Sequence, residues 1–450
     1  MINTFRKLQS QDKEHYSVPR SVHDYIPVTA IYDDGIFKCG CKFTKTWKFA
    51  DINYLVASRS DKEEMFLLYS ELLNTLDTGA TTKITINNRR MNRIDFENNI
   101  LLKDRLDALQ EYRKEYNGML LEKAIGGNSI MQEKYITVSV AKEDIKEARS
   151  YFARIGAELE NRFAAVGSKC VEMSATERLR ILHDFYRSGE ETAFSFDLSE
   201  MMRKGHDFKD YIAPDSFERF DDYIRIGDKF ARVLFLKEYA SYIKDSMVSE
   251  LTELSRNLML SIDINPIPME EAMKFAERRL LGVNTNITNY QRKQNQNHNY
   301  SADIPYEMEL QRQESTEFLK DLTERDQRMM YATITMVHMA DTKEQLDSDT
   351  ESLKSIARKH LCQLATLKFQ QMEGLNTVLP IGCKKLNIIR TLTTESLAVF
   401  MPFKVQEICH DNGIYYGQNA ISHNMIVANR RELLNGNSFI LGVSGSGKSF

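Results

Sequence analysis

Polar and apolar residues alternate along several short segments of this chain, which is the pattern of half-buried β-strands. The pattern is clear in residues 26–52, 82–87 and 134–140, where β-branched and aromatic side chains are frequent. Asp34 and Gly35 fall between two alternating runs of the first segment. We therefore expect hairpins near the start of the chain, with one turn at these two residues.

Longer segments between these strands repeat their apolar residues at helical spacing. Ser60 and Glu63 form a capping-box pattern before one such segment, and Ser174 with Glu177 forms another. A third helix is expected to be interrupted at Gly156, because glycine is a poor helix former. Strands and helices thus alternate through the first 200 residues, which predicts the α/β class rather than a helical bundle.

The pattern begins again near residue 205 with a hairpin that turns at Gly227. Pro268 is positioned to begin a long helix, and Asp341 with Glu344 is expected to cap a later one. Strand, helix and strand then follow one another. This order predicts a split βαβ arrangement of the ferredoxin type, with helices on one face of a sheet.

Turn residues and changes of pattern divide the chain into three predicted domains. We expect an N-terminal α/β domain over residues 1–204 and a second, ferredoxin-like α/β domain over residues 205–405. Residues 406–450 are expected to form the beginning of a P-loop NTPase domain, which is incomplete within this sequence.

The sequence "GVSGSGKSF" fits the phosphate-binding pattern G-x-x-x-x-G-K-[ST]. Glycines allow a backbone turn whose N–H groups converge on phosphate oxygens. The Lys448 ammonium is expected to reach the β- and γ-phosphates as the catalytic cation, and the Ser449 hydroxyl to bind Mg²⁺. The candidate nucleotide-binding residues are Gly442, Val443, Ser444, Gly445, Ser446, Gly447, Lys448 and Ser449.

The surroundings of this loop match the P-loop only in part. Residues 437–442 are expected to supply the strand that precedes such a loop. Phe450 alone remains to start the helix that should follow, and no acidic residue comes later to hold Mg²⁺. We therefore expect the natural chain to continue well past Phe450. The alternative to a phosphate-binding loop is a glycine-rich surface turn without a ligand.

Charge and cysteine usage narrow the classes of function. Sixty Lys and Arg residues against 64 Asp and Glu give a net charge of −4, which argues against an overall basic surface for nucleic acid. The local basic stretch 83–93 is expected to be a solvated strand end.

Cys39 and Cys41 have no second pair to complete a zinc site, and we expect them to share one face of a strand. No signal peptide or membrane-spanning run is evident, which favours a cytoplasmic protein.

Several segments resemble a known family, and the likeness runs over nearly all 450 residues, including "RILHDFYR" (180–187) and "KEYASYIK" (237–244). "TLTTESLAVFMPF" (391–403), "YYGQN" (415–419) and "LNGNSFILGVSGSGKS" (434–449) occur in the order found in conjugal transfer ATPases of type IV secretion systems. The similarity is to the VirB/TraC/TrsE type, in the version carried by conjugative elements of Gram-positive bacteria. Only the P-loop is specific by itself.

The resemblance implies a RecA-like motor domain that uses ATP and Mg²⁺ and is usually hexameric. It also implies an N-terminal region that docks on other channel components, so that the protein lies at the inner face of the cell membrane and meets nucleic acid only indirectly or weakly. The acidic residues and the arginine finger of the family have no counterparts in this sequence.

Two other functions remain open from the sequence. The chain could act mainly as a non-catalytic interaction scaffold of the secretion complex, because no paired carboxylates or nucleophile with a base precede the loop. It could also belong to another P-loop pump that moves DNA, although no DNA-reading module is evident.

Overall fold

The structure is a computed structural model. It describes residues 19–90, 100–105, 107–126, 130–240, 243–253, 256–296, 303–408, 410, 413–419, 422, 424–432, 435, 437, 439 and 441–446.

The chain divides into two compact units. Unit 1 contains Met1–Arg89 and Gln132–Lys404, and unit 2 contains Arg90–Met131 and Val405–Phe450. The boundary expected near residue 405 coincides with the end of unit 1. The boundary expected between residues 204 and 205 lies inside unit 1, because strands on either side of it pair in one sheet.

The elements have the following bounds. The strands are β1 Val28–Ile31, β2 Phe37–Cys39, β3 Lys42–Phe49, β4 Ala80–Arg90, β5 Ile130–Ala141, β6 Cys170–Glu172, β7 Phe217–Arg219, β8 Ile224–Ile226, β9 Lys229–Glu238, β10 Leu258–Pro266, β11 Met329–Ala340, β12 Gln363–Thr366, β13 Arg390–Thr393, β14 Ile414–Gln418 and β15 Met425–Ala428. The α-helices are α1 Arg59–Asn74, α2 Gln110–Gly126, α3 Ile145–Val166, α4 Ala175–Tyr186, α5 Leu198–Lys204, α6 Ser246–Leu251, α7 Met269–Gln296, α8 Tyr306–Glu324, α9 Lys343–Lys359, α10 Gln371–Val378 and α11 Thr394–Ala398. Short 3-10 helices span Val22–Tyr25, Glu191–Ala193, Phe208–Tyr211 and Arg430–Glu432.

Thirteen of these strands form one sheet in unit 1. Its main path is β1-β2-β3-β5-β4-β10-β11-β9-β8-β7, with β6 beside β3, β12 beside β9 and β13 beside β11. The recorded pairings within it are antiparallel, including those of β3 with β5 and of β10 with β11. The protein therefore belongs to the α/β class in the broad sense, as predicted.

The sheet consists of two copies of the ferredoxin-like arrangement. In the first, β3-α1-β4 and β5-α3-β6 give the strand order β6-β3-β5-β4. In the second, β9-α6-β10 and β11-α9-β12 give the equivalent order β12-β9-β11-β10. The sequence predicts this arrangement for the second copy, and the structure contains it twice.

The two copies, which we call repeat 1 (β1–β6) and repeat 2 (β7–β12), also match in their details. Each begins with a hairpin whose glycine has a left-handed backbone, Gly40 at φ +57° and Gly227 at φ +54°. Each carries an insertion between its second and third core strands, with α2 in repeat 1 and α7 and α8 in repeat 2. The repeats join where β4 pairs with β10, and there Thr85 lies opposite Ser261 with their hydroxyl oxygens 2.8 Å apart. One sheet therefore runs through the expected boundary at residue 204.

Two apolar clusters cover the opposite faces of the sheet. Successive residues of a strand point to opposite faces, and in β5 Ile136 belongs to one cluster while Tyr135 belongs to the other. Helices α1, α3, α6 and α9 supply the first cluster, and α4, α5 and α10 the second. No described helix has the length and apolar content needed to cross a bilayer.

Helix α3 passes through Gly156 without a break, so the expected interruption is wrong. A Cβ at this position would lie 2.9 Å from Glu172 Oε1 and 3.2 Å from Trp47 Nε1. Glycine therefore allows the helix to approach the buried Trp47 closely, and the packing outweighs the weak helix propensity.

Two of the three expected caps are shifted along the chain. Ser58 rather than Ser60 is the N-cap of α1, and Thr342 rather than Asp341 is that of α9. In both, the side chain accepts a hydrogen bond of 3.2 Å from the backbone N–H three residues later. The capping box at Ser174 is confirmed. A hydroxyl in the right backbone position thus fixes the helix start, and competing patterns nearby cannot be separated by spacing alone.

Candidate nucleotide-binding site

The described part of unit 2 contains α2, an antiparallel hairpin of β14 and β15, and the 3-10 helix Arg430–Glu432. Ile100, Leu120 and Val427 form its small apolar cluster, and the Tyr415 N–H donates to the Tyr116 hydroxyl over 3.2 Å. A RecA-like domain is built on a mostly parallel sheet. The described residues of unit 2 contain only this antiparallel pair, so the RecA-like domain stays a prediction.

The strand expected over residues 437–442 is not present at its described positions. Asn437, Phe439 and Leu441 have no strand conformation, and the two apolar side chains are 92% and 90% exposed. A P-loop strand is normally held by neighbours on both edges. In the described part of the chain β14 and β15 pair with each other, and no strand lies beside Phe439 and Leu441 to hold them in a sheet.

The first half of the loop forms a tight turn. The Ser446 N–H donates to the Val443 carbonyl over 3.2 Å, and Gly445 lies between them with φ +85°. A positive φ at this position of a turn is characteristic of type II and favours glycine. Gly445 is therefore required by the backbone of the loop, as the phosphate-binding interpretation expects.

The turn lies at the surface, with Gly442, Val443, Ser444, Gly445 and Ser446 all exposed. In this conformation the Ser446 N–H is used within the turn. Phosphate oxygens would compete for the same donor, so full engagement of this N–H by a phosphate requires the turn to open.

Gly447, Lys448 and Ser449 lie outside the described residues. The ammonium and the hydroxyl expected to contact ATP and Mg²⁺ are therefore known from the sequence alone. The described half of the loop fits such a ligand in two respects, since its backbone is accessible and its central glycine is left-handed.

The cysteine pair at the first hairpin does not share a face. Cys39 ends β2 and is buried, whereas Cys41 is exposed beyond the left-handed Gly40. The turn between them reverses the chain, so the alternation expected for a strand does not apply. Within the residues that the structure describes, no group of three or more His, Cys, Asp and Glu could hold a metal ion.

The basic stretch 83–93 does not begin as a solvated segment. Lys83 is 1% exposed on β4, and its ammonium lies 3.3 Å from the Asp263 carboxylate on β10. It also donates to the carbonyls of Thr377 and Cys383. Burial raises the pKa of Asp263, and the nearby Lys83 opposes that effect. The alternating strand pattern at Lys83 could have indicated an inward side chain, but no local signal identifies its partner 180 residues away.

The chain was compared with models of known protein families and with curated proteins. Neither comparison gave a match.

Proposed function

We propose that the protein is an ATP-binding and ATP-hydrolysing motor subunit that energises a type IV secretion channel for conjugative DNA transfer. The observation that carries the proposal is the complete phosphate-loop pattern from Gly442 to Ser449, with a left-handed Gly445 at its centre. The exposed position of residues 442–446 supports it, because a nucleotide could reach their backbone.

In this proposal unit 1 is the docking and assembly region. Its thirteen-stranded sheet is covered by an apolar cluster on each face. Other channel components and further copies of this chain are the proposed partners. Attachment to the inner face of the membrane would be peripheral and through those partners, and contact with nucleic acid indirect.

Different residues of the loop would bind the phosphates, neutralise their charge and hold Mg²⁺. Backbone N–H groups of residues 442–447 would bind the β-phosphate, and Lys448 would neutralise charge that develops on the transferred phosphoryl group. Ser449 would contribute one oxygen ligand to Mg²⁺, and the bound ion would supply positive charge that offsets the charge of the phosphates.

Replacing Lys448 tests the proposal directly. In the whole protein, Lys448→Ala is expected to lower the ATPase rate by at least about a hundredfold, because the transition state loses its positioned cation. Lys274→Ala is the matched control, since Lys274 is an exposed lysine that pairs with Glu270 within α7. ATP turnover that is equal in the two variants would contradict the motor function.

The interaction scaffold is the second candidate, and the described loop favours it in one respect. The Val443–Ser446 turn is closed by its own hydrogen bond and has no described strand beside it. Equilibrium binding of a fluorescent ATP analogue with Mg²⁺ distinguishes the two candidates. A scaffold would bind no nucleotide and would still retain channel components in a pull-down.

A further inference from the structure

Three peptide links join unit 1 to the rest of the chain. They follow Arg89, precede Gln132 and follow Lys404. Any force that reaches unit 1 along the backbone must pass through these three points. Side chains of unit 1 make contacts beside each of these three links.

Three consecutive residues of β5 hold the three links. The Gln132 amide donates to Asn88 Oδ1 over 2.8 Å, next to the first link. Glu133 lies 3.4 Å from the Arg89 guanidinium and accepts a hydrogen bond of 2.6 Å from Lys48. We call these three residues of β5 and their partners the exit clamp. Its members are Gln132, Glu133, Lys134, Asn88, Arg89, Lys48, Asp51 and Lys404.

The third link is held through Asp51. Lys134 forms an ion pair with this carboxylate, which also accepts a hydrogen bond of 2.7 Å from the Lys404 N–H. The Lys404 ammonium donates to Glu253 over 2.8 Å, and the Asn88 amide donates to the carbonyl of the adjacent Thr252. Two links are thereby fixed to one turn at the end of α6.

The exit clamp contains buried charged groups. Lys134 is 2% exposed and Lys404 is 8% exposed, and buried ion pairs generally contribute less stability than apolar packing of the same size. Directional hydrogen bonds and ion pairs do, however, fix orientation. Strand β5 continues from the exit clamp into the sheet, where Lys134 pairs with Phe49 of β3.

We propose that the exit clamp is the conformational coupling point of unit 1, through which nucleotide binding by unit 2 alters β5 and the end of α6. The proposal rests on the proposed function, because it takes Mg·ATP as the ligand of unit 2. In this proposal the clamp residues act by positioning the links.

The test is hydrogen exchange of the whole protein with and without Mg·ATP. In the wild type, Mg·ATP is expected to change exchange in residues 132–141 and 246–253 by at least about threefold, with little change in β9. In the double variant Asp51→Asn/Lys134→Met the response is expected to fall below about 1.5-fold. Removing both charges together leaves no uncompensated ion, and Asn can still accept from the Lys404 N–H.

The matched control is Lys45→Met/Glu172→Gln. This pair has an ammonium–carboxylate distance of 2.8 Å and joins β3 to β6, away from the three links. The control variant is expected to keep the full response, and thermal unfolding of both variants checks that each is folded.

Binding of a fluorescent ATP analogue to the same proteins separates the possible outcomes. A wild type that binds Mg·ATP but shows no exchange response would overturn the coupling alone, as would a full response in Asp51→Asn/Lys134→Met. A wild type that binds no Mg·ATP would overturn the proposed function and the coupling with it. A response lost only in the clamp variant, with the dissociation constant unchanged within about twofold, would support both.

Discussion

At the scale of single residues, close packing and buried charge explain positions that look ordinary in the sequence. Gly156 lies within a helix, where glycine is usually unfavourable, yet the ring of Trp47 leaves little room for a side chain. Gly282 also lies within a helix, but no atom is close to the position of its missing Cβ. The two glycines therefore have opposite packing requirements.

Gly156→Val is expected to lower the free energy of unfolding by about 1–3 kcal/mol, because the added atoms overlap Trp47 and Glu172. Gly282→Val is the control and is expected to be neutral or slightly stabilising, since valine has the better helix propensity. Urea unfolding of the two variants measures the difference. Equal stabilities would mean that α3 does not approach Trp47 as described.

The contribution of Glu133 to the free energy of unfolding is expected to depend on pH. Burial alone would raise the pKa of this carboxyl, but Arg89 and Lys48 outweigh it and lower the pKa to about 2 from an ordinary 4.5. Because the folded pKa is the lower one, its stabilisation is complete above about pH 4.5 and is lost as the pH falls toward 2.

Glu133→Gln is accordingly expected to cost about 2–3 kcal/mol of unfolding free energy at pH 7 and distinctly less at pH 3. Chemical unfolding at the two pH values measures this difference. Glu160→Gln, a change at an exposed site of α3, is the control and should cost the same small amount at both. A Glu133→Gln cost independent of pH would show that the carboxylate is not stabilised by its neighbours.

At the scale of elements, the β4–β10 seam is held by polar side chains as well as by backbone pairing. Ser139 donates to the Gly382 carbonyl over 3.0 Å, and Ser261 donates to that of Val378. Lys83 donates to two carbonyls of the same segment, 377–383. The segment therefore spans both repeats and collects donors from each of them.

The Lys83–Asp263 pair at this seam gives a prediction about coupled substitutions. Asp263→Leu alone is expected to cost about 3–5 kcal/mol, because it leaves a buried lysine without its carboxylate. Lys83→Met/Asp263→Leu should cost much less, since no buried charge remains. A double-mutant cycle from urea unfolding measures the coupling. Additive costs would mean that the two groups do not interact in solution.

At the scale of the whole molecule, the sequence predicts the class and many elements, but not the way they combine. Alternation located β4 and β5 correctly, and turn residues located the hairpin at Gly227. The pairing of β4 with β10 joins residues 170 to 182 positions apart, and nothing local specifies it. The sequence consequently suggested two separate domains where one sheet is formed.

For the candidate site, the sequence predicts the loop residues but not the structure around them. Its defining residues are fully readable from the sequence, because the spacing of glycines, lysine and serine reflects the shape of a phosphate chain. The strand expected before them was wrong at the described positions, since a strand depends on neighbours that a local pattern cannot supply. Chemistry is thus encoded over eight residues, whereas its support is encoded over a whole domain.

The seam between β4 and β10 also bears on the origin of the chain. Two similar halves that meet edge to edge resemble a pair of subunits that became one polypeptide by duplication and fusion. Fusion makes the association independent of concentration, and it frees each half to change without its twin. The two insertions differ in this way, with a single helix of 17 residues described in one and two helices of 28 and 19 residues in the other.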